Sequence, residues 1–220
     1  MENWLRGISV LSSLSSALPF LAAFYVRANL STRRLKLTAA FFVLGFLVEL
    51  TSLTYGTLFG NNMVIGNCFI FVEVTFWCYF FLDLLKHRFS YWIFAIIIGI
   101  MSVIWITHVV QHSIWMLNSL FSIIEASIII VLSAYYLLNL SRNSVTPIQK
   151  VPEFWFAAGA LIYFTCSFIA LGVPRYLILI NESALIKSFI KSFMFFYAII
   201  NITANILYSK AFLCTSTPRT

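Results

Sequence analysis

Three carboxylates stand where carboxylates are expensive. Glu49 in FLVELTS, Glu73 in NCFIFVEVTFWCYFF and Glu125 in SLFSIIEASI each lie near the middle of a long apolar run. An ionised carboxylate at the centre of a bilayer costs roughly 2.5–3.5 kcal/mol on insertion scales. Three such costs in one small chain point to groups that face a bundle interior. There a carboxylate has three uses: it binds a ligand, passes a cation or proton, or hydrogen-bonds a neighbouring helix.

Helical spacing assigns companions to each acid. Gly45, Glu49, Ser52 and Gly56 follow i, i+4, i+7, i+11, a single small-and-polar stripe. Asn118, Ser122 and Glu125 form a second stripe, and Asn62, Gly66 and Glu73 a third, with bulky Trp77 beyond it. Near the C-terminus, Lys187, Lys191, Met194, Ala198, Asn201, Asn205 and Tyr208 alternate by steps of four and three. That face is cationic at one end and amide-lined below. Lys191 lies about one turn inside the boundary, where a lysine either snorkels to the interface or turns inward. These stripes predict one polar cavity lined by Glu49, Glu73, Glu125, Asn118, Ser122, Asn201 and Asn205, with Lys191 near its mouth. The same acids and amides also suit plain interhelical contacts.

Other candidates are weaker. THVVQH puts His108 and His112 one turn apart, a spacing that can share a metal, yet no HExxH or third ligand accompanies them. A lysine in the last apolar run invites a retinal reading with Glu73 as counter-ion, but Lys187, not a carboxylate, lies one turn before Lys191. Cys68, Cys78, Cys166 and Cys214 are scattered, without CxxC or metal spacing, and read as small apolar residues. The serines of SVLSSLSSALP have no nearby His or Asp and read as helix-packing residues ahead of a kink at Pro19. No nucleophile elbow, phosphate loop or kinase signature is present, so no catalytic residue and no cofactor is assigned.

The elements that must position these residues are membrane helices. Of 220 residues, 61% are hydrophobic and 10% charged, against about 25% charged in a soluble domain; mean hydropathy is +0.95. Apolar runs longer than ~18 residues recur, each enough to cross a ~30 Å hydrocarbon core as a helix. The ten-residue alternation of barrel strands is missing. The expected fold is all-α: a single domain, 1–220, of seven transmembrane helices at roughly 8–26, 37–58, 63–85, 90–110, 114–138, 154–173 and 186–208. The first run is expected to be a span and not a cleavable leader, because RANLSTRRLK follows it where a small-residue cleavage site would stand.

Charge orients the bundle. Arg27, Arg33, Arg34, Lys36, Lys86, Arg88, Arg142, Lys150, Lys210 and Arg219 fall on one side, ten in all, while Arg6, Arg175 and Lys187 fall on the other. By the positive-inside rule the N-terminus is outside and the C-terminus cytoplasmic. The net charge of +7 is thus topology and does not argue for nucleic acid. The expected partners are the lipid bilayer and a cytoplasmic protein docked on RANLSTRRLK and LSRNSVTPIQK. The leading expectation is a receptor-like or sensory subunit that binds a small ligand or cation in the cavity. The alternative is a proton- or cation-coupled carrier or channel; less favoured is an intramembrane enzyme acting on lipid through His108 and His112.

A resemblance adds to this. NCFIFVEVTF and SLFSIIEASI place an acid in mid-helix, KVPEFWFAAGALIYFTCSF opens with Pro-x-Phe-Trp and carries a Tyr-Phe pair, and IINITANILYSKAFLC bears Asn and Tyr. On these residues the chain resembles, over nearly its whole length, an uncharacterised family of small seven-helix bacterial inner-membrane proteins. The resemblance implies a multi-pass protein of that membrane with Glu73 and Glu125 as shared positions. It implies no activity, and Asn67-Cys68 departs from the more aromatic or histidine-bearing start expected of the third span.

Overall fold

The computed structural model describes residues 2–30, 32–85, 90–144, 146–179 and 183–216; within these, the side chains of 2–6, 9, 29, 178, 179, 183–188, 190–192, 194 and 216 are not described. Helices account for nearly all of it: α1 (Glu2–Ser15), α2 (Ala17–Tyr25), α3 (Arg33–Phe59), α4 (Met63–Leu85), α5 (Ser90–His112), α6 (Ser119–Asn143), α7 (Pro152–Leu179) and α8 (Ser183–Leu213). Among the described residues, α3 to α8 each supply a stretch long and apolar enough to cross a membrane, and Val10–Tyr25 is a shorter apolar stretch. The expected first span is therefore a broken helix, α1 followed by α2.

The break has a local cause. Pro19 has no N–H for the carbonyl of Ser15, four residues earlier, and its ring crowds that carbonyl. The helix accordingly gives way at Ser16, one turn before the proline itself. The serine hydroxyls turn back onto the chain: Ser15 Oγ donates to Ser12 O and Ser16 Oγ to Ser13 O, both at 2.6 Å. The other helix ends follow ordinary capping chemistry. Thr32 accepts from Leu35 N at the start of α3, and Gly60 closes that helix in the left-handed region (φ +76°), its N–H on Gly56 O. Pro152 opens α7, where a missing N–H costs nothing. Helices α7 and α8 overrun the expected spans 154–173 and 186–208 at both ends, because backbone pairing continues past the apolar run until a cap or turn ends it.

Lipid tails are as apolar as leucine, so helices in a membrane associate by close packing and hydrogen bonds. Here α7 is the spine, packed along α6 and α8, while α1 and α2 lie on α8 and α4 packs between α3, α5 and α6. Small side chains allow the approach: Ala157 and Ala160 of α7 and Ala204 and Ala211 of α8 are fully buried. The ring core sits toward one end, where Phe42, Trp77, Phe156, Tyr208 and Phe212 interlock, with centroids 4.8 Å apart for Phe42–Tyr208 and 5.0 Å for Phe156–Phe212.

That end is also the basic one. Arg34 of α3 donates through Nε to Asp83 Oδ2 of α4 at 2.7 Å and lies 3.6 Å from Glu153 of α7. Lys210 Nζ stands 3.6 Å from the ring centre of Trp155. The opposite end is held by Asn67, whose side-chain nitrogen donates to the carbonyls of Ile114 and Met116, both at 2.7 Å, while its backbone carbonyl accepts from Trp105 Nε1. Between the two ends α3 is only half committed. Its buried side chains are Leu35, Thr38, Phe41 and Phe42, all in its first half, and none beyond is buried. Lys86, Arg88 and Arg219 lie outside the described residues.

Candidate functional site

Two rows of side chains on α4 diverge from one residue. Met63, Gly66, Ile70 and Glu73 follow alternating steps of three and four; Phe69, Glu73 and Trp77 follow steps of four. Each row faces a different cavity, and Glu73 belongs to both.

The first chamber, about 370 Å³, is lined from four helices. The face of α4 brings Gly66, Asn67, Ile70 and Glu73. From α6 come Ser122 and Glu125, three apart, and from α7 Tyr163, Phe164, Ser167, Ala170 and Leu171, at the spacing of one helical stripe. Helix α8 adds Phe189, Phe193 and Tyr197, at steps of four. The lining is apolar apart from two carboxylates and a few hydroxyl and amide groups, and its volume falls within the ~300–1,000 Å³ of small-molecule sites. Glu125 is 2% exposed, and its Oε1 has no hydrogen-bond partner among the described residues. A buried polar atom left without a partner costs about 1–3 kcal/mol, so the site favours whatever supplies a positive charge or a donor there.

The second chamber, about 280 Å³, lies under the break between α1 and α2. Ser12, Ser13 and Ser16 form its roof, Glu49 enters from α3, and Asn201 and Asn205 from α8; rings of Phe41, Phe42, Phe46, Phe69, Trp77, Tyr163, Tyr197 and Tyr208 make up most of the rest. The two amides are also clamps. Asn201 Nδ2 donates to Ser12 Oγ at 2.9 Å, and Asn205 Nδ2 to Ser15 Oγ at 2.8 Å, fastening α1 to α8. Glu49 is half-buried, as the sparse packing of the second half of α3 allows.

The wall common to both chambers consists of Glu73, Tyr163 and Tyr197. Tyr197 donates its hydroxyl to that of Tyr163 at 3.1 Å, joining α8 to α7 at this level.

The residues expected to line a single cavity divide between these two chambers. Glu73, Glu125 and Ser122 share the first; Glu49 meets Glu73, Asn201 and Asn205 in the second. Asn118 lines neither chamber, because it is the N-cap of α6, accepting from Phe121 N, and is buried against Asn67. The side chains of Lys187 and Lys191 lie outside the described residues. The stripe of α3 is a packing face as well: Asn62 Nδ2 donates to Ser52 Oγ at 2.6 Å, and a Cβ on Gly45 would touch Phe69. The rings of His108 and His112 are 5.3 Å apart, and His108 Nε2 lies 3.2 Å from Met116 O. No group of three His, Cys, Asp or Glu side chains suited to a metal exists among the described residues.

Tyr163 and Asn67 enter from the sequence only through the resemblance, and Tyr197 and Ser167 not at all. A signal for the tyrosines was there: a phenol in the middle of an apolar helix needs a hydrogen-bond partner. No family model matches this chain, and no curated protein or solved structure matches it either.

Proposed function

We propose that this is a multi-pass protein of the bacterial inner membrane that binds a small ligand or cation in the first chamber and signals through a cytoplasmic partner. In this reading α1 and α2 together make a seventh crossing, the N-terminus is outside, and the basic end, with RANLSTRRLK and LSRNSVTPIQK, faces the cytoplasm. The observation that carries the reading is the convergence of Glu73 and Glu125, from different helices, on one apolar-walled cavity of ligand size in which Glu125 Oε1 has no described partner. An amphiphile with a cationic or donor head satisfies both features. Binding would then shift α4 against α6 and α7, and α4 ends at the Arg34–Asp83–Glu153 cluster beside the basic loops.

Native mass spectrometry of gently extracted protein tests this, wild type beside Glu73→Gln and Glu125→Gln. A small-molecule adduct present in the wild type and lost in both variants supports the reading. Its absence from the wild type, or its persistence in both variants, overturns it.

A carrier is the second reading, and one observation favours it: Glu73, Tyr163 and Tyr197 border both chambers, so a single carboxylate can be presented to either side of one thin wall. Cation or proton flux into liposomes, abolished by Glu73→Gln, would select it over the receptor.

A further inference from the structure

We propose that the second chamber is a separate binding site for a small organic ammonium ion, with Glu49 and Glu73 as its counter-ions and aromatic faces as its walls. Glu73 is common to this site and to the proposed ligand site; Glu49 lines only the second chamber and Glu125 only the first.

The chemistry of the lining selects the occupant. Two carboxylates from α3 and α4 meet here, and neither has an ion-pair partner among the described residues. A bare divalent cation wants six or more oxygens around it, whereas this lining brings only two carboxylates and its apolar part is largely ring. Phe46 and Phe69, both half-buried, are the phenylalanine rings of this lining least covered by their neighbours. Ring faces attract a cation within about 6 Å of their centres, and quaternary ammonium groups are the usual guests of such walls. The volume of about 280 Å³ lies just under the ~300–1,000 Å³ typical of drug-sized sites, which restricts the guest to a small ion. Serine hydroxyls at the helix break and the amides of Asn201 and Asn205 give a polar edge for a hydroxyl or amine on the same molecule.

The test uses full-length protein in detergent or nanodiscs, with choline as the cation and 3,3-dimethylbutan-1-ol as its uncharged carbon isostere, binding being read by calorimetry. Choline is expected to bind and the alcohol not. Glu49→Gln is expected to weaken choline binding by about tenfold, and more than Glu125→Gln does. Phe69→Leu, which keeps both carboxylates, is expected to weaken it by about threefold. Thermal unfolding of each variant establishes that it is folded, and Phe69→Leu keeps the test decisive if Glu49→Gln is not. Equal binding of the alcohol would mean a merely apolar crevice and would overturn the proposal. So would no choline binding by the wild type, or a loss in Glu125→Gln equal to or larger than that in Glu49→Gln, which would put the ion in the first chamber.

Discussion

Tyr197 donates its hydroxyl to Tyr163 at 3.1 Å, and this pair stands beside Glu73 in the wall between the two chambers. It is a direct hydrogen bond between α7 and α8 at the level of the carboxylates. Interhelical hydrogen bonds in membrane bundles average about 0.6 kcal/mol. Tyr197→Phe should therefore destabilise the protein only slightly, by about that amount in reversible unfolding. Its effect on ligand exchange should be larger, because the wall loses this α7–α8 cross-link. A rate of adduct exchange unchanged from wild type would show that the pair is not a barrier.

Glu73→Gln should leave folding intact or raise stability. A neutral amide is cheaper to bury than a charge, and no described ion pair is lost with it. Thermal unfolding in detergent checks this. A large loss of stability would make Glu73 a structural partner and remove it from the binding site.

Asn67→Ala should be among the most damaging polar truncations. One amide holds the carbonyls of Ile114 and Met116, and Asn118 N lies 3.4 Å from its oxygen. Asn67 is 3% exposed and Asn118 1%, so the Asn118 N–H that it leaves behind has little water to turn to. At about 1–3 kcal/mol for each stranded buried group, a loss of ~2 kcal/mol or more is expected. Faster hydrogen exchange in residues 113–121 should accompany it.

Gly159→Ala should destabilise by about 1–3 kcal/mol, the usual cost of overpacking. A Cβ there would fall 2.6 Å from Tyr208 Cε1, a ring wedged between Phe42, Trp77 and Phe156. Gly172→Ala, in the same helix with nothing within 4 Å of the new carbon, should be neutral or stabilising by up to ~1 kcal/mol from helix propensity. Comparing the two unfolding temperatures separates packing from propensity.

Much of this molecule is written in its linear order. Apolar run length, set by bilayer thickness, identifies α3 to α8 as crossing-length helices. The acids at Glu49, Glu73 and Glu125 are marked as interior by their cost in lipid, and helical periodicity groups Ser122 with Glu125 and Asn201 with Asn205. Pro19 announces a break in the first helix, although the carbonyl that it strands puts the break at Ser16.

What tertiary structure alone decides is which faces meet. Periodicity gives the face of a helix but not its rotation against its neighbours. Glu49 therefore reads as an equal of Glu125 until α3, buried only through Phe42, places it with Asn201 and Asn205 instead. Asn118 looks like a third member of the Glu125 stripe until the helix start falls on it and turns its side chain to capping. Glu73 lies where two rows of α4 cross, and only the packing of α7 and α8 around it sets it on the lining of both chambers. Contacts such as Arg34 with Asp83 and Tyr163 with Tyr197 join residues 49 and 34 positions apart. Separations of that size depend on how the helices pack together, which no local pattern records.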